Sequence, residues 1–327
     1  MTIKNQESAI CVGYDDSEKK RFVKEFLVDN PDIDGILYFS PTGMQVLDLD
    51  WTGVRVMRKT FFEAMCFKHA TEIGETVNDR WLIIYDECMR VKKRKDITYN
   101  SFHRYGHMVK YQIVFETFPM IDSPDDFLLL VDLAYPDRYV QSKFTPDLLK
   151  LPSVDIKPRR ITIESVPVPI DEDSSAEYAA ERDSLFDGLG RRDPQTVPNS
   201  LEIWVGKYKK PYIESDGVYI ARNSRYKKPN VKKYTDYNVY DNESYNTMSY
   251  ETHAKNEYVR EFDTADVVTA VDLPVRHKDF VNMVKFSGAK TVRFLNTGLS
   301  IDRALLNEYQ EIFNTMNEVF YEKNTSI

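Results

Sequence analysis

The sequence predicts an α/β fold, a mostly parallel sheet with flanking helices followed by a smaller α+β domain, and three stretches carry that prediction. Trp81 to Tyr85 is an unbroken run of bulky apolar residues that ends in Asp86 and Glu87. A central strand buried on both faces reads this way, with charge appearing only at the carboxyl edge where ligands bind. Ala9 to Val12 is a shorter apolar run, followed by Gly13 and then by a helical pattern with Phe22, Val23, Phe26 and Leu27 on one face. Tyr111 to Phe115 is another buried-looking strand, ending in Glu116 and Thr117.

The first of these units, strand then loop then helix, is the context of a phosphate-binding loop. The pattern G-x-x-x-x-G-K-[ST] needs a glycine for the turn, a second for backbone approach to phosphate, a lysine for the outer phosphates and a hydroxyl for Mg²⁺. Gly13 and Lys19 occupy the first-glycine and lysine positions, but Glu18 stands at the second glycine and Lys20 at the hydroxyl. Asp15 and Asp16 add negative charge, which opposes a triphosphate by roughly a few kcal/mol at intermediate dielectric. The spacing therefore predicts a P-loop-NTPase-like domain with a degenerate loop. In an unrelated α/β domain, Ser17 would simply cap the helix.

The remaining elements follow in order. Gly35 to Ser40 and Val54 to Met57 read as strands, and Thr60 to Ile73 as one helix leading to the acidic strand. Asp86 is the candidate Mg²⁺ ligand and Glu87 the candidate catalytic base, with Glu116 or Thr117 at the place where such ATPases sense the γ-phosphate. His103 and His107 stand four apart on a helix face, but no further His or Cys completes a metal site, so no metal is expected there. Residues 146–170 are proline-rich and extended, and Asp171 to Ser175 opens a linker helix that Gly188 and Gly190 end. Leu201 to Val205 and Gly217 to Ala221 read as strands, 234–257 as a polar loop, and Thr291 to Leu295 as a strand before a helix capped by Ser300. The expected domains are 1–150, P-loop-NTPase-like, then 151–200, extended segment and linker helix, then 201–327, α+β.

A chain of 327 residues, 42% hydrophobic and 29% charged, is long enough for two cores and too apolar for disorder. It lacks a roughly 20-residue apolar span or a signal-like start, so a cytoplasmic protein without membrane contact is expected. Cys11, Cys66 and Cys88 match neither zinc nor disulfide spacing and read as buried free thiols. The net charge of −8 argues against a generally basic nucleic-acid binder. Two basic clusters stand out against it. Lys92, Lys93 and Arg94 follow the acidic strand, and from Lys207 to Lys233 nine Lys or Arg, including Arg222, Arg225, Lys227 and Lys228, face two acidic residues among interleaved tyrosines. Cations attract phosphate and tyrosines stack on bases, which makes these seven the candidate nucleic-acid contacts; a solvated charged face is the plainer alternative.

The order of Gly13 and Lys19, the run Ile83 to Arg90, the strand Gln112 to Phe115 with the apolar Phe127 to Leu133, the segment Glu181 to Gly188, the hairpin-like Gly217 to Arg222, and Val292 to Asn296 resembles the DNA-packaging motor ATPases of small tailed bacteriophages, relatives of the large terminase. The resemblance covers most of the chain. It implies ATP and Mg²⁺ as cofactors, DNA as partner, self-assembly or a viral protein partner, the host cytoplasm as location and an RNase H-like second domain. The altered loop departs from that pattern, and so does the second domain. There Asp263, Asp266 and Asp272 lie close together and Leu201 to Val205 offers only Glu202, whereas a two-metal nuclease needs acids converging from separate strands. The expected function is a phage-type packaging or replication accessory protein that binds nucleic acid. An active NTPase or nucleotide kinase with a divergent loop, and a non-catalytic interaction protein, are the alternatives.

Overall fold

The computed structural model describes residues 6–40, 47–91, 97–139, 142–187, 196–212, 219–221, 231–233, 266–271, 284 and 288–322. The chain divides into two units, Met1–Arg159 with Thr315–Ile327, and Arg160–Asn314.

In the first unit β1 (Ser8–Val12), β2 (Gly35–Ser40), β3 (Arg55–Thr60), β4 (Trp81–Asp86), β5 (Tyr111–Glu116) and β6 (Val154–Ile156) form one sheet in the order β3-β2-β4-β5-β1-β6. Every pairing is parallel. The four inner strands are buried at every residue, which is why they read as continuous apolar runs, whereas the edge strand β3 alternates. Helix α1 (Asp16–Asp29) lays Phe22, Val23 and Phe26 on one face of the sheet, against Ala9, Cys11, Leu82, Ile84, Ile113 and Phe115. On the other face, Phe39 and Tyr85 stack on Phe102 and Tyr105 of α4 (Ile97–Gly106), with Phe39 and Phe102 centroids 4.9 Å apart. Phe320, near the end of the described chain, returns to this unit and packs on Phe127 and Phe144.

Between β3 and β4 the expected single helix is two. Thr60 ends β3 and caps α2 (Phe61–Met65) through a reciprocal box with Glu63, and extended backbone at Cys66 breaks the chain before α3 (Phe67–Thr76). The two pieces do not share one buried stripe: Phe61 and Ala64 are buried in α2, and Ile73 alone in α3.

In the second unit β7 (Thr162–Pro167), β8 (Tyr219–Ala221), β9 (Val231–Lys233), β10 (Val267–Ala270) and β11 (Thr291–Asn296) form a sheet in the order β7-β11-β10-β8-β9. All pairings among its described strands are parallel, and the strand at 219–221 is not part of a hairpin. Parallel neighbours need crossover connections, which a tight turn cannot supply. Helix α5 (Phe127–Ala134) belongs to the first unit, and α6 (Glu172–Asp187), with Asp171 accepting from the Ser174 amide, to the second. Leu201 to Val205 is not a strand. It lies within α7 (Thr196–Lys209), where Leu201 and Val205, one turn apart, pack with Tyr178 and Leu299. In α8 (Ser300–Met316), Ser300 is the first helical residue and its hydroxyl meets that of Tyr178 at 2.9 Å. Lys209, Asp302 and Thr297 form a buried polar knot in this unit: Asp302 accepts from the Lys209 ammonium at 2.8 Å and from the Thr297 amide and hydroxyl at 2.8 and 2.7 Å.

Candidate nucleotide site

The residues singled out at the loop and at the acidic strand do converge. Strand β5 separates β1 from β4, and the carboxyl ends of all three lie side by side. Gly13, Lys19, Asp86, Glu87, Glu116 and Thr117 therefore share one edge of the sheet, the edge at which parallel α/β sheets bind ligands.

What they build there is closed. Only Gly13, Tyr14 and Asp15 separate β1 from α1, so the positions that a phosphate-cradling loop would occupy are already helical. Asp15 is the N-cap: its carboxylate accepts from the Glu18 amide at 2.7 Å, and the Glu18 carboxylate accepts from the Asp15 amide at 3.1 Å. This reciprocal box fills the helix N-terminus, the place where backbone N–H groups would otherwise receive an anion. Asp15 and Glu18, misplaced for phosphate binding, are thus the cap of α1, and Ser17 is not. Lys157 holds Glu18 from the other side and lies 4.0 Å above the Tyr14 ring, while the Tyr14 hydroxyl donates to Asp155. Gly13 has a left-handed φ of 77°, and a Cβ there would meet the Lys157 carbonyl oxygen at 2.3 Å. The glycine serves the turn and a close approach of chain to chain, as the motif requires, but the partner is Lys157 rather than phosphate.

Lys19 lies in the first turns of α1 with only 4% of its surface exposed. Its ammonium donates to Asp86 at 2.7 Å and stands 3.6 Å from Glu87. Burial pulls its pKa down, but the Asp86 and Glu87 carboxylates more than offset this and leave it raised, so the lysine is charged. The other oxygen of Asp86 accepts from Tyr38, whose hydroxyl in turn accepts from the Leu47 amide at 3.2 Å. Burial, then the Asp86 charge, raises the Tyr38 pKa and keeps that hydroxyl a donor. Glu87 has a left-handed φ of 58°, an uncommon conformation for a glutamate. Its carboxylate accepts from the Thr117 hydroxyl at 2.7 Å. Glu116 accepts from the Met89 amide at 2.9 Å. Burial lowers the pKa of Arg159 while Glu87 opposes the shift.

These residues do not fit Mg-ATP as they stand. The cation meant for phosphate and the anion meant for Mg²⁺ neutralise each other at hydrogen-bond distance, and the connection before α1 is too short to wrap a phosphate. Chemically the arrangement is a satisfied buried ion pair. Burial also pushes the thiols of Cys11 and Cys88 well up, and Cys66 is only half-buried.

The seven candidate nucleic-acid contacts, Lys92, Lys93, Arg94, Arg222, Arg225, Lys227 and Lys228, lie outside the described residues, as do Asp263, Asp272 and 234–257. Within the second basic cluster, Lys209 is withdrawn into the pair with Asp302, and Lys207 stacks over Trp204 at 3.8 Å with Glu177 at 3.4 Å. Among the described residues no helix is long and apolar enough to cross a membrane.

No known protein-family profile matches the chain. No curated protein sequence matches it. Among solved structures it is similar to the SWI2/SNF2 ATPase core domain of Sulfolobus solfataricus at 12% identity, over 96% of this chain and 85% of that one, with a TM-score of 0.34. It is also similar to the Hef helicase domain of Pyrococcus furiosus, at 10% identity over 93% and 95% with a TM-score of 0.43. A third likeness, to T. fusca Cas3-AMPPNP, has 10% identity over 97% and 46% with a TM-score of 0.37. These overlaps are too loose to carry any residue's role across.

Proposed function

We propose that this chain is a P-loop-like α/β protein that does not turn over nucleotide and that acts by binding nucleic acid, as an accessory in a phage-type packaging or replication assembly. The observation that carries the first half is the capped N-terminus of α1, where Asp15 and Glu18 occupy the place of phosphate, above a Lys19–Asp86 pair that nucleotide would have to open. The second half rests on the charge pattern of the chain, in which Arg222, Arg225, Lys227 and Lys228 concentrate positive charge among tyrosines in an otherwise acidic protein. The packaging role rests on the order of motifs along the chain alone.

Binding of this kind is driven by counterion release, so it weakens with salt in proportion to the phosphates neutralised, with a slope of about −0.9 for each on duplex DNA. Fluorescence anisotropy of labelled duplex and single-stranded DNA and RNA across a salt series tests it. The combined variant Arg225→Ala, Lys227→Ala, Lys228→Ala is expected to flatten the duplex slope by about 2 to 3, because it leaves three fewer cations to neutralise phosphate. Binding that the variant leaves unchanged, or that ignores salt, would contradict the proposal.

One observation favours a second reading, NTP hydrolysis with Lys19, Asp86 and Glu87 in motor roles: strained backbone at Glu87, at the ligand-binding edge of the sheet, is of the kind that collects at functional sites. That reading requires Lys19 and Asp86 to release one another when nucleotide arrives.

A further inference from the structure

We infer that His103, His107 and Asp137 form a binding site for one divalent transition-metal ion of the zinc class. His103 lies in the last turn of α4 and His107 one turn further on, so their rings share a face. No third His or Cys is near in sequence. The third donor is instead an aspartate that follows α5, thirty residues on. The two Nε2 atoms stand 3.2 and 3.1 Å from the two oxygens of Asp137, and one donor atom from each residue can be chosen so that all lie within 4.8 Å of one another. A tetrahedral ion with bonds of about 2.0–2.1 Å separates its ligand atoms by about 3.3 Å, so the side chains need only small adjustments to receive it.

Three further features suit a cation. Gly106 sits between the two histidines, and a Cβ there would come within 2.9 Å of the Pro136 ring. The absence of a side chain at that point is what lets the Pro136–Asp137 turn approach α4. Asp137 itself has a left-handed φ of 60°. The site also gathers at the carboxyl ends of α4 and α5, whose dipoles favour positive charge. Both helices run against the parallel strands, so these ends lie at the amino edge of the sheet, opposite Lys19 and Asp86. Metal binding here is therefore independent of the nucleotide-site reading.

Two imidazoles and one carboxylate select zinc, cobalt, nickel or copper over magnesium and calcium, which prefer all-oxygen sets. The donors are partly to largely exposed, His103 at 27%, His107 at 48% and Asp137 at 66% of side-chain surface, which leaves the remaining coordination positions to water or to a ligand from another molecule.

The test uses the full chain, stripped with a chelator and titrated with Co²⁺ followed by visible absorption and with Zn²⁺ followed by calorimetry. One ion per chain is expected. Affinity should fall at least tenfold in His103→Ala and in Asp137→Ala. The control is His69→Ala, which removes a histidine paired with Glu63 and Glu72 and should leave binding intact. If the wild-type chain binds no Co²⁺, or if both variants bind as the wild type does, the cluster is a hydrogen-bonded His–Asp arrangement and the inference is overturned.

Discussion

Asp86→Ala is expected to destabilise the first unit by about 3–5 kcal/mol, the loss that follows when one partner of a buried ion pair is removed and the other charge stays buried. Lys19 and Asp86 expose 6% and 7% of their side chains, so neither can turn to water without opening the packing around it. Removing Asp86 leaves the ammonium with Glu87, at 3.6 Å, as its acidic neighbour and takes away the acceptor that Tyr38 uses. Lys19→Ala should cost a comparable amount, because Asp86 then keeps its charge and the Tyr38 bond but loses its counter-ion. The paired change Lys19→Met with Asp86→Leu should recover most of the loss, since a buried pair replaced by apolar groups of similar volume is often near neutral. Urea unfolding of the wild type, the two single variants and the paired variant checks this, and the paired variant should lose far less than the sum of the two single losses. If each single variant costs less than about 1 kcal/mol, the pair is behaving like an exposed one and the site is open.

A loss of similar size, about 3–5 kcal/mol, is expected in the second unit from Asp302→Ala. Here burial is complete on both sides, and the aspartate also receives the amide and hydroxyl of Thr297. Lys209 sits 4.5 Å over the Phe294 ring, an attraction that cannot replace a carboxylate in an apolar setting. Asp302→Asn keeps the shape and an acceptor for Thr297 while dropping the charge, so it should fall between wild type and Asp302→Ala. Thermal unfolding of Asp302→Ala and Asp302→Asn orders the three, and equal stability of all three would mean that the knot contributes nothing.

The fold is legible where burial is two-sided. β1, β2, β4 and β5 read off the sequence nearly to the residue because a strand covered on both faces carries few polar residues to blur it, Gln112 within β5 being the exception. Leu201 to Val205 misleads because a short, bulky apolar run has the same appearance in a strand and in a buried helix. The packing that decides it, of Leu201 and Val205 on Tyr178 and Leu299, is tertiary. At the candidate site, the residues are legible and their relationship is not. Asp15 and Glu18 carry the spacing of a capping box, a signal present in the sequence that is masked by the same residues' being the wrong charge for phosphate. Spacing shows that Lys19 and Asp86 approach one edge of the sheet, but not that they meet. Asp137 has no local signal linking it to His103 and His107, since only the packing of α4 and α5 brings the three together.

The most direct test of the closed site is calorimetric titration of the folded, full-length chain with Mg-ATP, alongside Lys19→Ala. A closed site predicts no heat beyond dilution for either protein. Saturable micromolar binding by the wild-type chain that Lys19→Ala abolishes would contradict it, and would mean that the Lys19–Asp86 pair opens to admit nucleotide.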